Sequence, residues 1–351
     1  MTSTPPPASA RAWWRRLLSV AAMDIRPLRR HRDFRLLFIG KSISFFGGMM
    51  TYVSLPYQAY RLSGFTLAVG LLGLTELVPL LLFAFLGGAL ADAVDRKWMV
   101  RLTELLIALA TFALLVNALL PHPALWAIYA IAAMMSGLDA LQRPSLDAMI
   151  PRLVERDELT AAAALNSVGS GLGQVVGPAV GGVLIATVGL PGAYLIALLT
   201  FGATLTALTL MRASPPPADA ERPSIRRVVE GIRYARGRPE LIGTYVVDMT
   251  AMFFGMPTAL FPALAPHYGG TGVLGLLYAA PAAGSLIAGL TSGWAGRVHR
   301  HGQAVIFAAA GWGAAIALFG LVNSLPFALF FLALAGAADE ISGIFRGTIW
   351  N

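Results

Sequence analysis

The chain has 351 residues, 57% hydrophobic and 13% charged, with 26 Lys and Arg against 18 Asp and Glu and no cysteine. Soluble domains carry roughly a quarter charged residues, so this composition excludes a water-soluble globular protein, and the absence of cysteine excludes disulfides and thiolate metal sites. The net charge of +8 is spread over separate connections rather than gathered on one domain, which excludes a nucleic-acid-binding module as well.

In chain order, the basic, Pro-rich opening "MTSTPPPASARAWWRRLL" has too short an apolar patch for a cleavable signal peptide. The stretch "ARAWWRRLLSVAAMDIRPLRR" reads either as an interfacial helix, with Trp13 and Trp14 at headgroup depth, or over residues 1–20 as a disordered basic tail. Apolar runs long enough to cross about 30 Å of hydrocarbon then recur ten times, near 34–60, 66–91, 98–119, 124–147, 160–187, 190–211, 241–267, 270–296, 303–322 and 325–349. The expected fold class is an all-α polytopic membrane protein. Four segments are expected: 1–33 before the first span, a six-helix bundle over 34–212, a charged linker over 213–240, and a second bundle over 241–351 with four helices. Within the linker, "SIRRVVEGIRYARG" can form an amphipathic surface helix with Ser224 as N-cap.

Charge fixes the expected orientation. Of the 26 Lys and Arg, 24 fall in the N-terminal segment, in every second connection, or at the helix ends beside them. The alternate connections "LLPHPAL", "TVGLPGAY", "PHYGGTG" and "VNSLP" carry none. Only Arg61 breaks the alternation, and Lys41 lies inside span 1. The positive-inside rule then puts the N-terminus and the 213–240 linker in the cytoplasm; a bacterial inner membrane is the expected location.

The second half repeats the first. "GLLGLTELVPLLLFAFLGGALADAVDRK" in span 2 matches "GLLYAAPAAGSLIAGLTSGWAGRVHRH" in span 8, about 204 residues on. "LQRPSLDA" matches "IFRGTIWN" at an offset of 203, setting Arg143 against Arg346. That offset corresponds to six helices plus a linker per repeat, an arrangement of parallel repeats with a substrate site between them. With four spans in the second half, the chain is expected to be a partial one that lacks a closing pair.

After span 2, "GGALADAVDRK" resembles the loop signature of the major facilitator superfamily, matched by Gly88, Leu90, Asp92, Arg96 and Lys97. Ala93 and Asp95 depart from it. The resemblance implies a latch between Asp92 and basic groups of a neighbouring loop, formed in one conformation and broken in another; plain anchoring by positive charge is the alternative. The counterpart in the second half has Gly296 in place of Asp92. In span 5, Gly169, Gly173, Gly177 and Gly181 recur every fourth residue, which makes a groove for close helix approach. Gly173, Gly177, Pro178, Gly181 and Gly182 also resemble the exporter motif of the same superfamily, G-x-x-x-G-P-x-x-G-G, which implies outward transport, often in exchange for protons. Over residues 27–351 the chain is similar to the branch that holds the enterobactin exporter and related multidrug pumps.

Ionisable groups inside spans are functional candidates by default. These are Lys41, Glu76, Asp139, Asp248, Asp339 and Glu340. In the fold that the resemblance implies, spans 1, 4, 7 and 10 line a central cavity, so Lys41 and the acids converge there. Asp248 or Asp339 is expected to carry a coupling proton, with Lys41 as ion-pair partner of one acid, or alternatively as half of a static pair with Asp139. For Glu76, protonation and a structural hydrogen bond are both open. An adaptable apolar chamber is expected from Tyr52 and Tyr57 in span 1 and from Phe253 and Met256 in span 7, suited to bulky lipophilic or cationic compounds. No G-x-x-x-x-G-K-[ST] loop or metal-binding His spacing is present. The expected protein is therefore no enzyme and holds no cofactor. It is a monomeric secondary transporter in the lipid bilayer, driven by a proton gradient and moving a small molecule, with no nucleic-acid partner. Export of drugs or siderophore-like molecules is the favoured direction, and import by the same fold the alternative.

Overall fold

The structure is a computed structural model that describes residues 24–93, 95–212 and 238–350. The proposed interfacial helix before Asp24 and the proposed linker helix lie outside these residues. Ten helices among the described residues are long and apolar enough to cross a membrane. Their α-helical parts are α1 (Arg32–Ser63), α2 (Thr66–Ala93), α3 (Arg96–Leu119), α4 (Leu125–Leu153), α5 (Leu159–Thr187), α6 (Gly189–Leu210), α7 (Pro239–Gly255), α8 (Thr271–Leu290), α9 (His301–Leu321) and α10 (Leu325–Trp350).

Local chemistry sets several boundaries. α1 stops at Gly64: its N–H still bonds the Tyr60 carbonyl at 2.8 Å, and its φ of +73° then turns the chain out of the helix. Asp95 caps α3 by accepting from the Trp98 N–H at 3.0 Å, so the residue that breaks the loop signature starts the next helix. Span 7 is not one helix. Pro257 lacks an N–H and forces the preceding residue out of the helical region, so Met256 is extended (φ −85°, ψ 106°). The chain resumes as a 3₁₀ turn, Pro257–Leu260, and a short helix, Phe261–Leu264. The α-helical part of span 8 is also shorter than the apolar run: it ends at Leu290, and "SGWAGR" continues as 3₁₀ turns through Arg297. Two glycines in six residues favour that exit.

In the first half, α1 packs on α5 and α6, α2 on α4, and α3 on α4 and α6; in the second, α10 packs on α8 and α9, and α7 on α9. The α5–α8 contact joins the halves. Glycine makes it close: a Cβ on Gly182 would collide with the backbone of Gly275, and one on Gly275 with the carbonyls of Pro178 and Ala179. The largest apolar core lies at the arginine-free end and draws on all ten spans, including Val53, Leu114, Ile128, Tyr194, Phe261, Leu277 and Leu332. At the arginine-rich end, the apolar clusters among the described residues belong to the first half alone, around Leu37, Val100 and Met149 and around Phe34 and Leu165. The halves are thus sealed together at one end and separate at the other.

Candidate functional site

Between the halves lies a cavity of about 1080 Å³. Its inner end abuts the arginine-free core, where Leu55, Phe261 and Tyr278 are buried. Towards the arginine-rich end its lining includes the Asp139 and Arg143 side chains, 45% and 70% exposed. The walls come from both halves, and α5 supplies Ser170, Gln174 and Pro178.

The glycine ladder of α5 has a definite partner. A Cβ on Gly169 would stand 3.3 Å from the Phe38 ring, and one on Gly173 2.6 Å from the Phe45 ring. A Cβ on Gly177 would lie 3.1 Å from the Phe46 carbonyl oxygen, and one on Gly181 3.1 Å from the Met50 Cα. One face of α5 therefore receives α1 along its length. Gly182 meets α8 instead, so the helix is wedged between a neighbour in its own half and one in the other.

Lys41, Glu76, Asp139, Asp248 and Asp339 all line the cavity. Their pairing differs from the sequence expectation. Asp248 on α7 makes an ion pair with Arg346 on α10, which also reaches Asp339 at 3.4 Å. Asp139 is held by Arg143, one turn along α4, at 2.8 Å. No carboxylate among the described residues lies within ion-pair distance of Lys41; the carboxylate fields acting on it come from Asp147 and Asp139. Arginine supplants it at Asp139, Asp248 and Asp339, each of which has a guanidinium within reach. Arg143 and Arg346, equivalent in the repeat, thus do different work: one bonds within its helix, the other ties two helices together.

Glu340 does not line the cavity. It sits about 100° round the helix from Asp339 and faces α8, where a Cβ on Gly289 would lie 3.4 Å from its carboxylate. Among the aromatic and sulfur side chains, Tyr52 and Met256 line the cavity. Tyr57 does not: five residues past Tyr52, it is turned into the core at the arginine-free end. Phe253 is 83% exposed and lies outside the cavity, one position round α7 from the lining residue Met252.

Two lining acids escaped the sequence reading, Glu104 and Asp147. Glu104 on α3 is 4% exposed. It accepts from the Ser44 hydroxyl of α1 and from the Gln142 amide of α4, the latter at 2.7 Å. All three side chains line the cavity, and the donors are neutral. In the loop signature, Gly88 and Asp92 fall in the last turns of α2, where the side chains lie outside the described residues. Arg96 is buried and donates to the Ala148 carbonyl of α4 at 3.2 Å, and Lys97 donates to the Met211 carbonyl beyond α6.

Known proteins give this architecture a context. The family model of transmembrane secretion effectors within the major facilitator group matches residues 22–342. The chain is 31% identical over 329 residues to the enterobactin exporter EntS of Shigella boydii serotype 18, covering 93% of this chain and 79% of that protein. EntS of Escherichia coli O81 matches to the same extent. Among solved structures, the nucleoside transporter NupG superposes with a TM-score of 0.70 at 12% identity, covering 91% of this chain and 82% of that one. An inward-facing, unoccupied bacterial homologue of the human lysosomal transporter Spinster does so with 0.64 at 16%, covering 90% and 74%. These structures share the fold. The chain belongs to the transmembrane secretion effector family of major facilitator transporters.

Proposed function

We propose that the protein is a proton-coupled exporter of lipophilic small molecules, working by alternating access in a bacterial inner membrane as a monomer, with the arginine-rich end and the N-terminus in the cytoplasm. The observation that carries this reading is the cavity between the halves, sealed by a ten-span core at the arginine-free end and bordered by ionisable groups at the other. A transporter loading its cargo from the cytoplasm needs that state. The glycine-rich α5 and the likeness to enterobactin exporters support the outward direction, with siderophore-like or drug-like molecules as cargo.

In this reading the proton gradient is the energy source, and Asp248 is the coupling carboxylate. A proton on Asp248 cancels its attraction for Arg346, which then turns to Asp339, and the contact between α7 and α10 loosens. Deprotonation restores the pair. The two arrangements are the discrete states that a switch requires.

Everted membrane vesicles containing the chain test the proposal. Under an imposed pH gradient, acid inside, they should accumulate enterobactin or ethidium, and a protonophore should abolish the accumulation. Asp248→Asn should lose gradient-driven accumulation while keeping downhill exchange. Accumulation in right-side-out vesicles instead would establish import and overturn the reading.

A further inference from the structure

The acids of the cavity are unequal. Glu104 takes Ser44 and Gln142, Asp139 takes Arg143, Asp248 and Asp339 take Arg346, and Asp147 lies near the arginine-rich end of α4, where its field reaches Lys41. Glu76 takes nothing: among the described residues, no side chain donates to its carboxylate, and no cation lies within ion-pair distance. It stands on α2, ten residues or about 15 Å from the helix start at Thr66, well inside the bilayer. Aqueous screening is weak at that depth and an uncompensated charge is costly.

Its surroundings are aromatic. Tyr52 of α1 and Tyr278 of α8 line the same cavity, and their rings meet edge-on across the boundary between the halves, centroids 5.4 Å apart at 77°. Glu76 is the carboxylate whose field reaches both rings. The Tyr278 hydroxyl donates to the Thr258 carbonyl at 3.0 Å, in the 3₁₀ turn that follows the break in α7. Tyr52 is 42% exposed, so part of its ring is open to a guest. The lining as a whole carries six carboxylates against the two cations Lys41 and Arg143.

We propose that Glu76, which lines the cavity together with Tyr52 and Tyr278, recognises a cationic centre on the transported molecule, so that lipophilic organic cations are among the substrates. A cation there gains an ion pair with a carboxylate that has no competing partner, and the electron-rich ring faces add to it. An organic anion of the same size meets that carboxylate unopposed. The volume of about 1080 Å³ admits a drug-sized guest. The inference rests on the reading of the cavity as a transport site, and it adds the charge of the cargo.

Tetraphenylphosphonium and tetraphenylborate have nearly the same shape and opposite charge, which makes them suitable probes. With the full chain in nanodiscs and no gradient, calorimetry should show the phosphonium binding at least about tenfold more tightly than the borate, a difference of about 1.4 kcal/mol. Glu76→Gln should weaken the phosphonium about tenfold without weakening the borate, while Glu76→Asp keeps most of the cation affinity. A second measurement needs no variant: phosphonium should slow carbodiimide modification of Glu76 in the wild-type chain. Equal phosphonium affinity in wild type and Glu76→Gln, or a wild-type preference for borate, would overturn the assignment. These are binding measurements, so a failure of vesicle export would sink the exporter reading and leave them standing.

Discussion

Asp248 and Arg346 form an ion pair that links α7 to α10 at the wall of the cavity, and the same guanidinium reaches Asp339 at 3.4 Å. Its energetics are lopsided. Arg346 is 12% exposed and the centre of the cluster, whereas Asp339 is 59% exposed and well screened. Arg346→Gln strands the Asp248 carboxylate and should cost about 1–3 kcal/mol, below the value for a fully buried pair because Asp248 faces the cavity. Asp248→Asn should cost less, since Arg346 keeps Asp339. The double variant should be more stable than Arg346→Gln alone. Thermal unfolding in detergent measures all three, and equal losses would argue against a paired cluster.

The α1–α5 seam makes a second prediction. A Cβ at Gly181 would lie 3.1 Å from the Met50 Cα, and backbone cannot yield as a flexible side chain does. Gly181→Ala should therefore destabilise the protein by about 1–3 kcal/mol through overpacking, and Gly181→Val should prevent correct assembly. Gly202 on α6 is the control. Nothing lies within 4 Å of a Cβ built there, so Gly202→Ala should be neutral or slightly stabilising through helix propensity. Detergent-solubilised yield and melting temperature distinguish the sites.

Much of this architecture was legible in the sequence because bilayer physics leaves few options. An apolar run of twenty or more residues must be helical, so the ten spans could be found from composition alone. The glycine spacing announced a close helix neighbour without saying which. Tertiary choices were harder to read. Lys41 looked like the natural partner of the acids, yet Arg346, which read as a charge at a helix end, took Asp248. Phe253 and Met256 look equivalent on paper, yet of the two it is Met256 that lines the cavity. Glu104 was hidden among the charges at the start of span 3. Its signal was register: Val100, Glu104, Ile107, Thr111 and Leu114 recur at helical spacing and share the buried face of α3.

At the arginine-rich end, Glu158 fastens the segment before α1 to the start of α5. It is fully buried, meeting His31 Nε2 at 2.7 Å and Arg30 at 3.4 Å. Glu158→Ala removes both contacts and should cost about 1–3 kcal/mol. His31→Ala should cost less, and Arg30→Ala, at an exposed side chain, under about 1 kcal/mol. Limited trypsin digestion offers a local readout, because Arg29 and Arg30 should be cleaved faster once the segment is released. Unchanged cleavage in Glu158→Ala would mean that other contacts hold it.

Access to the cavity can be tested directly because the chain has no cysteine, so a single introduced thiol is the only target for a maleimide. Ser170 lines the cavity on α5, whereas Ala265 is 2% exposed in the core that seals the arginine-free end. In the state described here, a membrane-impermeant maleimide should label Ser170→Cys from the arginine-rich side and Ala265→Cys from neither. Alternating access requires this asymmetry to reverse when substrate and gradient drive the cycle. Labelling at Ala265→Cys from the opposite side should then rise as Ser170→Cys is protected. A channel with no such cycle would label Ser170→Cys from both sides and show no exchange between the two positions. A rigid cavity would leave both rates where they began.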